Sequence, residues 1–182
     1  MQCNELTWED GFADRDDRAG VASKVLSRDS AGRSASLLVR YPAGWAGMID
    51  IDGGEECYIL RGVLQIDGVE HRPHNYCAMA AGSRHDAAAG ANGATVLSFV
   101  GADAARTPVL GYDALRAPWQ ATFTVGLPPG AARKDLAADP FTGAQTWLLG
   151  TMPMRWGTRP ERHPVVEEML LSPAASSARS AR

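Results

Sequence analysis

The stretch Gly44 to Gly62, GWAGMIDIDGGEECYILRG, decides the reading of the fold. Its apolar residues come in short runs broken by Gly and Asp, with no helical periodicity. Asp50 and Asp52 lie two apart, so on a strand they share one face. The run Glu55-Glu56-Cys57-Tyr58-Ile59-Leu60 then places acidic, thiol and aromatic side chains at the head of an apolar strand. Cys57 and Tyr58 fall on opposite faces of it, so only one of them can face an interior.

The same texture extends outward. Candidate strands are Val21–Leu26, Ser36–Tyr41, Cys57–Leu60, Val63–Ile66, Tyr76–Met79 and Thr95–Val100. Asp67-Gly68 between Leu64-Gln65-Ile66 and Val69-Glu70-His71 is a hairpin signal, because both residues tolerate the positive φ of a type I′ turn. Ala87 to Gly93 is small and reads as a loop, and 102–118, with Pro108 and Pro118, reads as a connector. Further strands are expected over Gln120–Val125, Gln145–Leu149 and Val165–Leu171. These readings give an all-β chain: an N-terminal segment (1–20), a barrel (21–101), the connector, a partial second unit (119–171) and a disordered tail (172–182).

Composition narrows the function. The 182 residues are 45% hydrophobic with a net charge of −3, which fills a core but offers no field for nucleic acid or an anionic membrane. Met1 to Gly11 is polar and acidic, unlike a signal peptide, and no apolar run approaches a membrane span. Cys3, Cys57 and Cys77 are an odd count without metal-binding spacing, which implies free thiols in a cytoplasmic setting, with Cys57 and Cys77 filling a core. No phosphate loop, nucleophile elbow or basic aromatic patch is present.

The two halves repeat one pattern. Pro42, Trp45, Asp50, Asp52, Glu55-Glu56 and Ile59-Leu60 answer to Pro153, Trp156, Glu161, His163, Glu167-Glu168 and Leu170-Leu171. The spacing agrees from Pro through Trp to Asp52 and His163, then differs by one residue before the Glu pair. The second copy stops before a return hairpin, and its apolar run Val165 to Leu171 needs cover from the first sheet or from a second subunit in a homodimer.

These residues resemble the cupin motifs, G-x5-H-x-H-x3/4-E-x6-G followed by G-x5-P-x-G-x2-H. Gly44 precedes Asp50-Ile51-Asp52, Glu55 precedes Gly62, and His74, Ala80, Gly82 and His85 fall in register with the second motif. The chain is similar to bacterial two-cupin proteins of the acetylacetone-dioxygenase and zinc-cupin anti-sigma types, with the second cupin truncated. The resemblance implies a cupin double-stranded β-helix, a jelly-roll-like barrel, plus a partial second cupin repeat. It also implies a divalent metal (Fe, Mn, Ni or Zn) held by three His and one Glu.

Both first-motif histidines are replaced here. In the plain register the ligands become Asp50, Asp52, Glu55 and His85, with Glu56 as the alternative carboxylate, an oxygen-rich set that favours Mn(II) or Mg(II). If the one-residue gap is closed, the two ligand positions fall on Ile49 and Ile51 and only Glu55 and His85 remain. Tyr58 and Trp45 are candidate substrate-pocket residues, and packing at a barrel mouth is the competing reading of Trp45. His71 and His74 read as exposed residues beyond the hairpin. The functional expectations are a metal-dependent, dioxygenase-like enzyme on a small ketone or diketone, a non-catalytic small-molecule-binding or sensor cupin, or a degenerate barrel without metal.

Overall fold

The computed structural model describes residues 6–12, 18–32, 34–101, 108–121, 131–140, 143 and 145–151. Cys3, most of Gln120–Val125, the second-copy residues Pro153 to Leu171 and the tail 172–182 lie outside the described residues. The described chain is all β. Its strands are β1 (Glu9–Asp10), β2 (Ala22–Arg28), β3 (Ala35–Tyr41), β4 (Ala46–Ile51), β5 (Glu55–Ile66) and β6 (Val69–His71). They continue as β7 (Asn75–Met79), β8 (Ser83–Val100), β9 (Val109–Asp113), β10 (Gln120–Ala121), β11 (Ala131–Ala138) and β12 (Gln145–Thr151).

Nine strands form one antiparallel sheet in the order β1-β2-β3-β8-β5-β7-β9, with β4 added to β8 and β6 to β5. The sheet closes on itself because β5 and β8 are long enough to serve both walls. The second half of β8 pairs with β3 and the first half of β5, while its first half pairs with β4 and the end of β5. The bend between walls comes at Gly62 and Gly93, with φ of 71° and 72°. A Cβ on Gly62 would stand 2.0 Å from the Gly93 carbonyl oxygen, so the backbones can cross there only without side chains. The residues 87–93 therefore continue a strand instead of forming a loop. Their Ala and Gly fit a place where two backbones run close, with Ala87 and Ala89 buried.

Asp67 and Gly68 take φ of 48° and 78° between the paired residues Ile66 and Val69, as a two-residue type I′ hairpin requires. His74, in the place of a motif glycine, also has positive φ, 72°. The sequence placed no strand at Ala46–Ile51, Val109–Asp113 or Ala131–Ala138. β9 instead pairs with β7, so part of the expected connector belongs to the barrel sheet.

Two cores result. Leu37, Val39, Ile49, Ile51, Cys57, Ile59, Leu64, Ile66, Cys77 and Val96 fill the barrel. Tyr58, Tyr76, Ala78 and Leu97 point the other way, where Leu136 and Leu148 of the three-stranded sheet β10-β11-β12 cover them. That second sheet is held by polar ties as well. Thr146 Oγ1 donates to Glu56 at 2.7 Å, Tyr112 Oη donates to the Asp135 carbonyl at 3.2 Å, and the Lys134 ammonium donates to the carbonyls of Ala114 and Leu115 at 2.8 and 3.2 Å. Because both faces of β5 are covered, Glu55 to Ile59 are buried without alternation. Among the described residues no helix is long and apolar enough to cross a membrane.

Candidate functional site

β4 sets which side chains enter the barrel. Its register on β8 places Ile49 opposite His85 and Asp50 opposite Arg84. Ile49 and Ile51 are 1% and 3% exposed and join the core, so Asp50, between them, faces outward. There Asp50 accepts hydrogen bonds from Arg84 at 2.5 and 3.0 Å in an exposed ion pair. Asp52 is exposed beyond the strand end. The inward-facing residues of β4 are thus Ile49 and Ile51, the pair that the closed-gap reading names, and not Asp50.

Glu55 opens β5 on the interior face and is almost fully buried. Both its oxygens are engaged. Oε1 accepts from Arg18 Nη1 at 3.2 Å, from Ser98 Oγ at 2.9 Å and from Cys57 Sγ at 3.2 Å, and Oε2 accepts from Arg18 Nη2. Arg18 also donates to Tyr41 Oη at 2.7 Å and lies 3.6 Å from the centroid of the Phe12 ring. The guanidinium is 1% exposed and is the only cation on this carboxylate among the described contacts. Trp45 anchors the segment that delivers it: its indole Nε1 donates to the Ala19 carbonyl at 2.8 Å while its ring packs edge-on against Tyr41 at 4.9 Å.

The electrostatics follow from this pairing. Burial would raise the Glu55 pKa, but the Arg18 charge and the hydrogen bonds from Arg18, Cys57 and Ser98 outweigh it and hold the carboxyl below its ordinary value. Burial likewise opposes the charge on Arg18, and Glu55 and Tyr41 reverse that and raise its pKa. Burial pushes the Tyr41 hydroxyl up, against the pull of Arg18. Cys57 is directly opposite Cys77 across β5 and β7, and both thiols are free. Its contact with Cys77, its burial and the Glu55 charge push the Cys57 thiol well up, so it stays protonated.

His85 shares the inward face of β8 with Ala87 and Ala89 but lies at the rim. Both ring nitrogens have partners, Nδ1 with Asp67 at 2.6 Å and Nε2 with Ser83 Oγ at 2.8 Å. The His85 hydrogen bond holds the Asp67 carboxyl below its ordinary value. Glu56, the alternative ligand, sits on the outer face with Thr146. Tyr58 is on that outer face too, its hydroxyl 3.0 Å from His74 Nδ1, whereas Trp45 packs against the barrel core. The two candidate pocket residues are therefore apart. His71, read from the sequence as exposed, is fully buried, and neither of its ring nitrogens has a hydrogen-bond partner among the described residues.

A metal does not fit this arrangement. Asp50 and Asp52 are outside, His85 is bound to Asp67 and Ser83, and Glu55 has no unengaged oxygen. Among the described residues no three His, Cys, Asp or Glu side chains group so as to hold a metal ion. Two concavities among the described residues are open grooves. One of about 330 Å³ lies beside Gly47, Met48, Gln65 and Asp86, and one of about 240 Å³ at the Gly62–Gly93 corner.

Arg18 had no local signal in the sequence. It ends the polar run Asp14-Arg15-Asp16-Asp17-Arg18, which looks like a solvated segment, and its partner lies 37 residues on. Ser98 and Tyr41 fell within expected strands, but nothing in the sequence joined them to Glu55 in one cluster.

No family model and no curated protein matches the chain. Among solved structures, the backbone is similar to a "putative dioxygenase" of Nostoc punctiforme, with a TM-score of 0.69, 21% identity, and coverage of 82% of this chain and 59% of that one. An RmlC-like cupin protein of Ralstonia eutropha overlaps at a TM-score of 0.47 and 16% identity, over 55% of this chain and 66% of that one. A chain of the Rhodobacter sphaeroides SigE complex with the anti-sigma ChrR overlaps at 0.44 and 16%, over 54% and 51%. The chain spans between about half and two thirds of the length of these structures.

Proposed function

Because this chain has a cupin fold, we propose that it is a non-catalytic cupin module: a barrel that works as a rigid platform and not as a metal-dependent oxygenase. One observation carries this reading. The glutamate that would be a metal ligand is neutralised from within by Arg18, and the β4 residues that face the interior before it are the buried isoleucines Ile49 and Ile51. A platform of this kind explains why Glu55 is turned toward Arg18, Ser98 and Cys57. It also explains why the outer face of β5, β7 and β8 is given over to carrying a second sheet.

A dioxygenase-like activity on a small ketone or diketone is the second reading. It is favoured by the likeness to the Nostoc punctiforme protein and by His85 standing on the inward face at the rim. It requires Glu55 to leave Arg18 and His85 to leave Asp67.

Elemental analysis of protein purified without added metal, with an oxygen-uptake screen on diketones, tests the proposal. Sub-stoichiometric Mn, Fe, Ni and Zn with no uptake is the expected result. Near-stoichiometric metal that disappears in an Glu55→Ala, His85→Ala double variant would overturn it in favour of the enzyme.

A further inference from the structure

We infer that Arg18 is the resident cation of this barrel, its guanidinium filling against Glu55 the place a metal would otherwise take, so that the interior is a guanidinium site occupied by the chain itself. The inference rests on the reading of the barrel as metal-free and goes further, because it says which chemistry the interior now recognises. The site has every element such recognition needs. The Glu55 carboxylate meets two guanidinium nitrogens side by side, a fork-on-fork arrangement that a planar cation satisfies and an ammonium does not. Tyr41 Oη accepts a further hydrogen bond at 2.7 Å. The Phe12 ring lies 3.6 Å from the guanidinium carbon, as a cation–π partner. Ser98 and Cys57 donate to the remaining lone pairs of Glu55, at 2.9 and 3.2 Å, and fix the carboxylate in place.

The cation arrives on a short arm. Phe12 and Arg18 both belong to it, and it is fastened at three points: by β1 on β2, by the Gly11 amide donating to the Val21 carbonyl at 2.7 Å, and by Trp45 on the Ala19 carbonyl. These fastenings, with the chain running on from Arg18 into β2, keep the guanidinium in the barrel. Truncating Arg18 leaves a cavity of the lost group's shape, lined by the opposite charge of Glu55.

The test uses the full chain as Arg18→Ala. Its melting temperature is followed with methylguanidinium chloride, with urea as an uncharged mimic of the same plane, with NaCl at matched ionic strength, and with MnCl2 or ZnCl2. The expected result is a variant that melts below the wild type and is restored by methylguanidinium alone, saturably, at roughly millimolar concentration. Wild type should show no such rise, since Arg18 already fills the site. A rise with metal but not methylguanidinium would overturn the inference, as would no rise with any cation. Should Arg18→Ala not fold, the pair is read by a cycle of Arg18→Met, Glu55→Leu and the double variant. The double variant is expected to melt above either single one, because each single change strands a buried partner; a double variant melting below both would overturn the inference. These outcomes are independent of the platform reading, which stands or falls on metal content and oxygen uptake in the wild type.

Discussion

Ile49 lies directly opposite His85 across the β4–β8 ladder, and this pairing fixes the side to which every residue of the first motif points. A slip of one residue would bring Asp50 inside and turn Ile49 out. The observed register instead buries two isoleucines and sends the carboxylate to Arg84 in solvent.

Asp50→Asn should therefore leave the urea midpoint and the metal content unchanged, because an exposed pair of this kind contributes little. Ile49→Asp should destabilise by more than about 3 kcal/mol, since it buries a charge without a partner. Urea unfolding of the two variants side by side checks the register, and equal midpoints would contradict it.

Gly62 and Gly68 both have positive φ, but only Gly62 faces backbone where a Cβ would go. Gly68→Ala should cost about 1 kcal/mol, for backbone conformation alone. Gly62→Ala should cost more than about 2 kcal/mol, because β5 and β8 must move apart as well. The difference between their unfolding free energies measures how tightly the strands cross.

His71 gives the fold a pH dependence. Burial lowers its pKa below the ordinary 6.5, so the folded ring resists the proton that the unfolded chain accepts. The stabilisation is fully present above the unfolded value. It is lost as pH falls below 6.5 toward the folded-state pKa, and the loss levels off beneath that. Unfolding measured at about pH 7.5 and about pH 5 should show the decline, and His71→Leu should flatten that part of the profile.

Lys134 is buried in β11 with its ammonium on two carbonyls and 4.9 Å from the Trp119 ring. Lys134→Met should cost about 1–3 kcal/mol, as two carbonyls lose their donor. Amide exchange should quicken in Ala131–Ala138 and Gln145–Thr151 while β3 and the second half of β8 keep their protection. Uniform quickening across all strands would mean that the second sheet does not loosen by itself.

The barrel was legible from short-range signals. Val, Ile and Leu in short runs marked β2, β3 and β5, and Asp67-Gly68 marked the hairpin, because turn chemistry and apolar texture are local. Ala131–Ala138 escaped, since Ala, Lys and Leu carry no strand preference and the segment is a strand only through its ladders with β10 and β12. At the candidate site, Cys57 and Tyr58 were correctly read on opposite faces of β5, but the register of β4 depended on a ladder that spacing alone left open between two readings. Arg18 was beyond reach, because a side chain that pairs across 37 residues leaves no pattern in its own neighbourhood.

The doubly covered sheet has a bearing on how this protein can be taken apart. A fragment cut to 21–101 would keep every ladder among β2 to β8, yet lay bare Tyr58, Leu97 and half-buried Phe99 on one flat wall. It would also leave behind Arg18, stranding the Glu55 carboxylate in a dry interior. Such an excised piece would be sticky on the outside and electrostatically frustrated within. The arm before the barrel and the sheet after it are thus not appendages to be trimmed, and fragments for expression or fusion need to carry both.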